Sequence, residues 1–137
     1  MAHAKFPAEV ITPEGPVFSE EIEMLSTRTA DGTIGILARH EPVLAILEPT
    51  ELRLYRSTDP DEIVRFAQAE GYLQFQDNRA LVLVEEAIAP GSLERATLET
   101  RLSEAHAAAE HAAEGSEELA RARRDIKRYQ AFLAIGE

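Results

Sequence analysis

The sequence predicts a protein of the mainly β plus α class, with an N-terminal antiparallel β-sandwich over residues 1–90 and a C-terminal antiparallel helical hairpin over residues 91–137. Two observations predict this arrangement. Before Pro90-Gly91, short apolar stretches alternate with turn residues about every ten positions, which is typical of a sandwich or barrel. After Gly91 the composition shifts to Ala, Glu, Arg and Leu, which are strong helix formers.

Eight short strands are predicted in the first part. Their bounds are Ala8–Thr12, Glu21–Thr27, Thr33–Leu37, Val43–Leu47, Leu52–Arg56, Ile63–Ala67, Tyr72–Phe75 and Leu81–Val84. Asp31-Gly32 is a hairpin signal, because glycine supplies the positive φ that a tight turn requires. Few long connections remain between the strands, which favours antiparallel pairing.

Two helices are predicted in the second part, each with one narrow apolar stripe. The stripes are Leu98, Leu102, Ala105, Ala109 and Ala112, then Leu119, Ala122, Ile126, Tyr129 and Leu133. Ser92 is expected to cap the first helix, and Gly115-Ser116 to end it and cap the second. Because alanine buries little apolar surface, we expect a marginally stable hairpin that is only loosely fastened to the sandwich.

Composition excludes several classes of protein. The net charge of −11, from 14 Lys and Arg against 25 Asp and Glu, argues against nucleic acid as a partner. The absence of cysteine excludes disulfides and thiolate sites, which favours a non-secreted setting. The apolar run Val43–Leu47 is far shorter than the roughly 20 residues of a membrane span. The charge is uneven, −9 over residues 1–91 and −2 over residues 92–137.

Few residues suggest catalysis. His106 and His111 are five positions apart on a predicted helix, so they cannot share a metal ion as an i, i+4 pair can. His40 stands in a loop beside Pro42, where a loop-fixing hydrogen bond is favoured over a catalytic role. The sequence has no glycine-rich phosphate loop and no Gly-x-Ser-x-Gly elbow. We therefore expect no catalytic residues and no metal site.

One cluster of positive charge stands out on the second predicted helix. It consists of Arg121, Arg123, Arg124, Lys127 and Arg128, offset only by Asp125. One interpretation is a solvated helix face with intrahelical ion pairs, such as Glu117 with Arg121, worth about 0.2–0.5 kcal/mol each. The other is a docking surface for an acidic segment of another protein. The residues alone leave both open.

The segment Asp31–Leu44 resembles the signature of the epsilon subunit of F-type ATP synthases. In that signature a Gly-x-x-Gly-Ile-Leu run, here Gly32–Leu37, leads into a His-x-Pro corner, here His40–Pro42. The likeness extends along the chain, through the opening Ala8–Val17, Leu52–Arg56, Glu70–Leu73 and the strand Leu81–Glu85 before the hairpin. The motif together with this order of domains identifies the chain as resembling that family.

The resemblance implies a non-catalytic subunit of the rotary central stalk. The sandwich would bind the gamma subunit and the c-subunit ring, and so help to couple proton, or sometimes sodium, flow to ATP synthesis. The hairpin would move between a compact and an extended state and restrain ATP hydrolysis. Its five basic residues, Arg121, Arg123, Arg124, Lys127 and Arg128, are then implied to face an acidic segment of the catalytic beta subunit.

The same resemblance implies a peripheral position on the cytoplasmic face of the cell membrane, with membrane association only through the complex. Two alternatives from other classes are a free-standing adaptor and an enzyme whose site is assembled from scattered residues. Copurification with alpha, beta and gamma subunits would separate the first interpretation from both alternatives.

Several members of the family bind ATP through an Ile/Leu-Asp-x-x-Arg-Ala motif at the start of the first helix. The matching segment here, Leu93–Leu98, keeps an acid in Glu94 but has Thr97 in place of the arginine and Leu98 in place of the alanine. Without that guanidinium a phosphate loses its bidentate partner. We therefore expect weak or absent ATP binding and no cofactor.

Overall fold

The computed structural model describes residues 3–136. Met1, Ala2 and Glu137, at the ends of the two predicted domains, lie outside the described residues. The chain divides into two compact units, and the boundary lies between Ala89 and Pro90. The first unit is built of strands and the second of two helices, so the predicted fold class is confirmed.

The described part of the first unit, residues 3–89, has ten strands. They are β1 Phe6–Thr12, β2 Gly15–Ile22, β3 Met24–Thr29, β4 Gly32–Leu37, β5 Val43–Leu47, β6 Thr50–Tyr55, β7 Ile63–Gln68, β8 Gly71–Gln76, β9 Arg79–Val84 and β10 Ala87–Ile88. Hydrogen bonding follows the order β10-β7-β6-β3-β5-β8-β9-β1-β2, with β4 paired to β3. Strands β3 and β5 share the single pair Thr29 and Leu47. At this weak junction the row of hydrogen-bonded strands bends, and its two halves form the two layers of a sandwich.

The core lies between the two layers. Phe6, Leu25, Leu54, Leu73 and Phe75 all point into it and are 1% exposed or less. The rings of Phe6 and Phe75 meet edge to face with centroids 5.5 Å apart, a geometry worth about 0.5–1.5 kcal/mol beyond the burial of their area. Alternate residues of β1, β3, β6, β8 and β9 therefore form one continuous apolar interior.

A polar group is buried at one end of this interior and is fully bonded. The Thr27 hydroxyl donates to Gln68 Oε1 at 2.5 Å, and Gln68 Nε2 donates to the Glu48 carbonyl at 2.8 Å. The three residues belong to β3, β7 and the turn after β5. Because a buried polar group is costly unless it is paired, these two bonds favour one arrangement of the three segments.

The structure corrects three details of the predicted strands. The predicted strand Glu21–Thr27 is wrong, because β2 ends at Ile22 and β3 begins at Met24. Glu23 is buried at the break, where its carboxylate accepts the His3 backbone N–H at 2.8 Å. Strands β2 and β10 were not predicted. Strand β2 lacks the alternation of apolar and polar residues, because Pro16 and acidic residues occupy this edge of the sheet. Strand β10 is only two residues long.

The prediction of purely antiparallel pairing is wrong for one pair of strands. Strand β1 lies parallel to β9, with Ala8 opposite Ala80 and Val10 opposite Val82. All other strand pairs among residues 3–136 are antiparallel. A parallel neighbour requires no local turn signal, because the two strands are far apart in the chain.

The second unit consists of α1, Arg95–His111, and α2, Glu117–Ile135. Ser92 does not cap α1; it lies in a short 3₁₀ turn, and Glu94 takes the N-cap position without a side-chain capping bond. Ser116 caps α2 as predicted, since its Oγ accepts the Leu119 N–H at 3.2 Å. Gly115 before it has φ +75°, which glycine adopts without strain.

Burial in the hairpin follows the predicted stripes, with one addition. Leu98 and Ala105 are buried on α1. Leu119, Ala122 and Phe132 are buried on α2. Phe132 was absent from the predicted stripe, although it is 1% exposed. The remaining stripe positions are half-buried.

Candidate functional site

An apolar patch covers the outer face of one layer of the sandwich. Leu44 is 73% exposed, Ile46 61%, Tyr72 55% and Leu83 42%. Register places these side chains side by side, because Ile46 pairs with Tyr72 and Tyr72 with Leu83 across neighbouring strands. Such a contiguous exposed patch is typical of a protein-binding surface. We call Leu44, Ile46, Tyr72 and Leu83 the apolar patch.

The patch arises from strands that are apolar on both faces. In β5, Leu47 points inward and is buried, while Leu44 and Ile46 point outward. An antiparallel strand with one solvated face normally alternates apolar and polar residues. Leu44 and Ile46 were not predicted as a site; the uninterrupted apolar run Val43–Leu47 indicates a strand that is apolar on both faces, without telling which face is exposed.

A shallow depression of about 280 Å³ adjoins the patch near Ile11, Tyr72 and Leu83. Gly71 is one of the residues that line this depression. A Cβ on Gly71 would overlap the Leu83 carbonyl and lie 2.7 Å from Val84 Cα. Only glycine allows β8 and β9 to approach so closely here. Gly71 therefore determines the spacing of the two strands that carry Tyr72 and Leu83.

The corner between β4 and β5 is held by side-chain bonds. His40 Nδ1 lies 2.7 Å from the Glu41 carbonyl, and because a carbonyl only accepts, this nitrogen carries the proton. The His40 ring also packs edge to face on Phe75, with centroids 5.9 Å apart. The Arg39 N–H donates to Asn78 Oδ1 at 2.7 Å, while Arg39 adopts φ +67°. This geometry agrees with the loop-fixing role predicted for His40.

The five basic residues predicted as a docking surface lie on α2. Arg121, Arg123, Arg124 and Lys127 are exposed and Arg128 is half-buried. At about 100° per residue they span an arc of about 160°, opposite the buried side of the helix at Leu119 and Ala122. We call Arg121, Arg123, Arg124, Lys127 and Arg128 the basic arc.

The ion pair suggested between Glu117 and Arg121 is not the one observed. Glu117 Oε1 lies 3.9 Å from Arg124 Nη2, two turns along the helix, and the Glu117 side chain is 88% exposed. A long, solvated pair of this kind contributes little to stability. The Arg124 side chain stays 50% exposed in this pair.

An open groove of about 660 Å³ runs between α1 and α2. It is lined by Arg101 and Arg121 and by four carboxylates, those of Glu104, Glu117, Glu118 and Asp125. At the start of α1, the Thr97 hydroxyl donates to Glu94 Oε2 at 3.3 Å. Carboxylates outnumber guanidinium groups in the groove, which disfavours a polyphosphate.

Metal ligands and membrane-spanning helices are the other features that could mark a site. Nowhere in that range do three or more His, Asp or Glu side chains converge in a way that could hold a metal ion. His106 and His111 are both exposed on α1. Neither described helix is long and apolar enough to span a bilayer.

Comparison with known proteins relates this chain to ATP synthase subunits. The family model of the ATP synthase delta/epsilon chain β-sandwich domain matches residues 5–90. An ATP synthase epsilon chain from Herpetosiphon aurantiacus is 32% identical over 132 residues, which cover 94% of this chain and 92% of that relative.

Two solved structures share the fold. A chain of the Euglena gracilis mitochondrial ATP synthase has a TM-score of 0.78 at 18% identity, and the match covers 96% of this chain and 81% of that one. A chain from the central stalk and c-ring of the Tetrahymena thermophila mitochondrial ATP synthase has a TM-score of 0.62 at 13% identity, and the match covers 98% of each chain.

Proposed function

The chain belongs to the family of ATP synthase epsilon subunits, and we propose that it serves as a non-catalytic subunit of the rotor's central stalk. In this role it helps to couple proton translocation to ATP synthesis. The observation that carries the proposal is the apolar patch, a surface suited to a permanent partner. The subunit is then peripheral, on the cytoplasmic face of the cell membrane, and is attached to the membrane only through the complex.

The apolar patch is the docking surface for the gamma subunit, and the sandwich also contacts the c-subunit ring. Leu44 and Ile46 are more than half exposed in the isolated chain, so covering them removes apolar surface from water at a gain of roughly 25 cal/mol per Å². The patch lies on paired strands, which hold the four side chains in a fixed arrangement. A rigid apolar surface binds without a large ordering cost.

Binding of the purified chain to the gamma subunit, measured by calorimetry, tests this proposal. Leu44→Asp should weaken binding at least tenfold, because a carboxylate would be desolvated in the interface. Val17→Asp is the matched control, since Val17 is 43% exposed on β2, outside the apolar patch. A chain that never associates with gamma, or equal affinities for the two variants, would contradict the proposal.

The hairpin restrains ATP hydrolysis when it extends along gamma, and the basic arc then faces an acidic segment of the catalytic beta subunit. Support comes from the position of the arc on the solvent side of α2. Positive charge at such an interface favours docking and specificity. Screening by salt weakens interactions between exposed charges over about 8–10 Å, so the restraint should weaken as ionic strength rises.

ATPase activity of the reconstituted catalytic head, with full-length and truncated chain, tests the role of the hairpin. Deleting residues 92–137 should raise hydrolysis, and replacing the five residues of the basic arc with alanine should raise it in a salt-dependent way. Arg101→Ala is the matched control, a cation on α1 outside the arc. Unchanged hydrolysis on deletion would show that the hairpin does not inhibit.

The hairpin does not fit ATP. Thr97 offers a hydroxyl already engaged with Glu94 where a phosphate would need a guanidinium, and the groove between the helices carries four carboxylates. Calorimetry should detect no binding, and a micromolar dissociation constant would overturn this proposal. The double variant Thr97→Arg with Leu98→Ala restores the arginine and the alanine of the family motif and tests whether these two positions are responsible.

A further inference from the structure

The free edge of β4 presents unpaired backbone groups to solvent. In β3, the Arg28 carbonyl accepts the Glu48 N–H at 3.0 Å and so points away from β4. Arg28 pairs with Thr33 across the β3–β4 ladder. Because backbone direction alternates along a strand, Thr33 and Gly35 direct their N–H and C=O groups to the outer edge of β4, whereas the Leu37 carbonyl already accepts the His40 N–H at 3.1 Å.

The free edge of β5 lies on the same side of the sandwich. The Ile46 carbonyl accepts the Ala30 N–H at 3.0 Å, so Ile46 and, by alternation, Leu44 direct their backbone groups away from β8. A groove of about 480 Å³ separates the two edges, with Gly32–Ile34 on one wall and Val43–Ile46 on the other. Asp31, in the turn before β4, is the one charged residue among those that line it.

The β4 and β5 edges lack the protection that the edges of β2 and β10 carry. Natural sheets guard their edges with proline, charge or short strands. Strand β2 has Pro16 and the acids Glu20 and Glu21, and β10 is two residues long. Gly32–Leu37 contains neither proline nor charge over its six residues, so β4 is a template for an added strand.

We propose that the groove between β4 and β5 receives an extended, uncharged segment of the partner that covers the apolar patch. The segment pairs with Thr33 and Gly35 by main-chain hydrogen bonds, a recognition mode known as strand addition. The argument for this occupant is continuity, because Leu44 and Ile46 belong both to the apolar patch and to the groove wall. The inference rests on the proposed docking to gamma and adds a specific mode of pairing to it.

Amide hydrogen exchange of the full-length chain, free and bound to gamma, tests strand addition. The Thr33 and Gly35 amides should exchange at least tenfold more slowly in the complex. The Ile34 and Ile36 amides point towards β3 and serve as internal controls, protected in both states. If the complex forms and Thr33 and Gly35 still exchange as in the free chain, strand addition is wrong while docking to gamma stands. Absence of any complex overturns both.

A substitution provides an independent measurement. Thr33→Pro removes one outward N–H from the edge, where proline is tolerated, and Thr33→Val retains that N–H in a side chain of similar size. The amide spectrum of each variant verifies that the sandwich is folded. Thr33→Pro should weaken binding to gamma at least tenfold relative to Thr33→Val, and equal affinities would overturn the proposal.

Discussion

The sandwich and the hairpin are stabilised in different ways. The sandwich buries large side chains such as Phe6, Leu73 and Phe75 to 1% exposure or less, and it has a bonded polar pair inside. The hairpin buries five residues, two of which are alanines. The apolar patch therefore lies on a rigid scaffold, whereas fewer and smaller buried side chains stabilise the hairpin.

We expect the greatest loss of stability from a cavity in the core of the sandwich. Phe75→Ala should lower the free energy of unfolding by about 3–5 kcal/mol, because the ring contacts with Phe6 and His40 are lost. Urea unfolding followed by the NMR signals of the sandwich measures this loss. Tyr72→Ala, on the outer face of the same strand, is the control and should cost far less. Similar losses for the two variants would contradict the described core.

The next effect concerns the buried polar group. Gln68→Leu should cost about 1–3 kcal/mol, since the Glu48 carbonyl loses the donor that satisfies it. A double-mutant cycle with Thr27→Val measures the coupling across the 2.5 Å bond between the two side chains. A coupling energy of zero would show that the bond does not contribute to the stability of the sandwich.

A smaller effect is expected in the hairpin. Ser116→Ala removes the cap that accepts the Leu119 N–H and should destabilise α2 by about 1 kcal/mol. Hydrogen exchange of the α2 amides should accelerate while exchange in the sandwich stays unchanged. Ser103→Ala, at an exposed position inside α1, is the matched control. Acceleration in both units would show that they unfold together.

The smallest effect is a pH dependence at the surface of the sandwich. The Arg56 guanidinium donates to both Glu20 oxygens, at 2.6 and 2.7 Å, and lowers the pKa of this carboxyl below its ordinary 4.5. The stabilisation is therefore present above pH 4.5 and disappears as pH falls through the lowered pKa. Thermal unfolding of Glu20→Gln should show this contribution missing at neutral pH, with Glu21→Gln as control. Identical melting of wild type and Glu20→Gln at pH 7 would contradict it.

Local signals predicted much of the fold. The hairpin turn before Gly32, the cap at Ser116 and the helical stripes all follow from neighbouring residues, and each lies where it was expected. Strand β2 was missed because an edge strand needs no apolar alternation, and Ser92 failed as a cap because α1 begins only at Arg95. For both β2 and Ser92, the position in the fold decided the structure rather than the local preference of the residues.

The candidate site was harder to predict. The basic arc could be found from composition alone, since charge clusters are visible in the sequence. The apolar patch could not be separated from the core in the same way, because Leu44 and Leu47 have identical chemistry. Alternation places them on opposite faces of β5, and packing of the two layers buries Leu47 while Leu44 stays exposed.

The parallel pairing of β1 with β9 has a consequence for synthesis. Ala8 and its partner Ala80 are more than 70 residues apart in the chain. Strand β2, on one side of β1, follows directly in the chain, whereas β9, on the other side, exists only after almost the whole sandwich has been translated. Loop closure over that distance delays folding, so the β1–β9 ladder cannot be completed during synthesis until Leu83 has emerged.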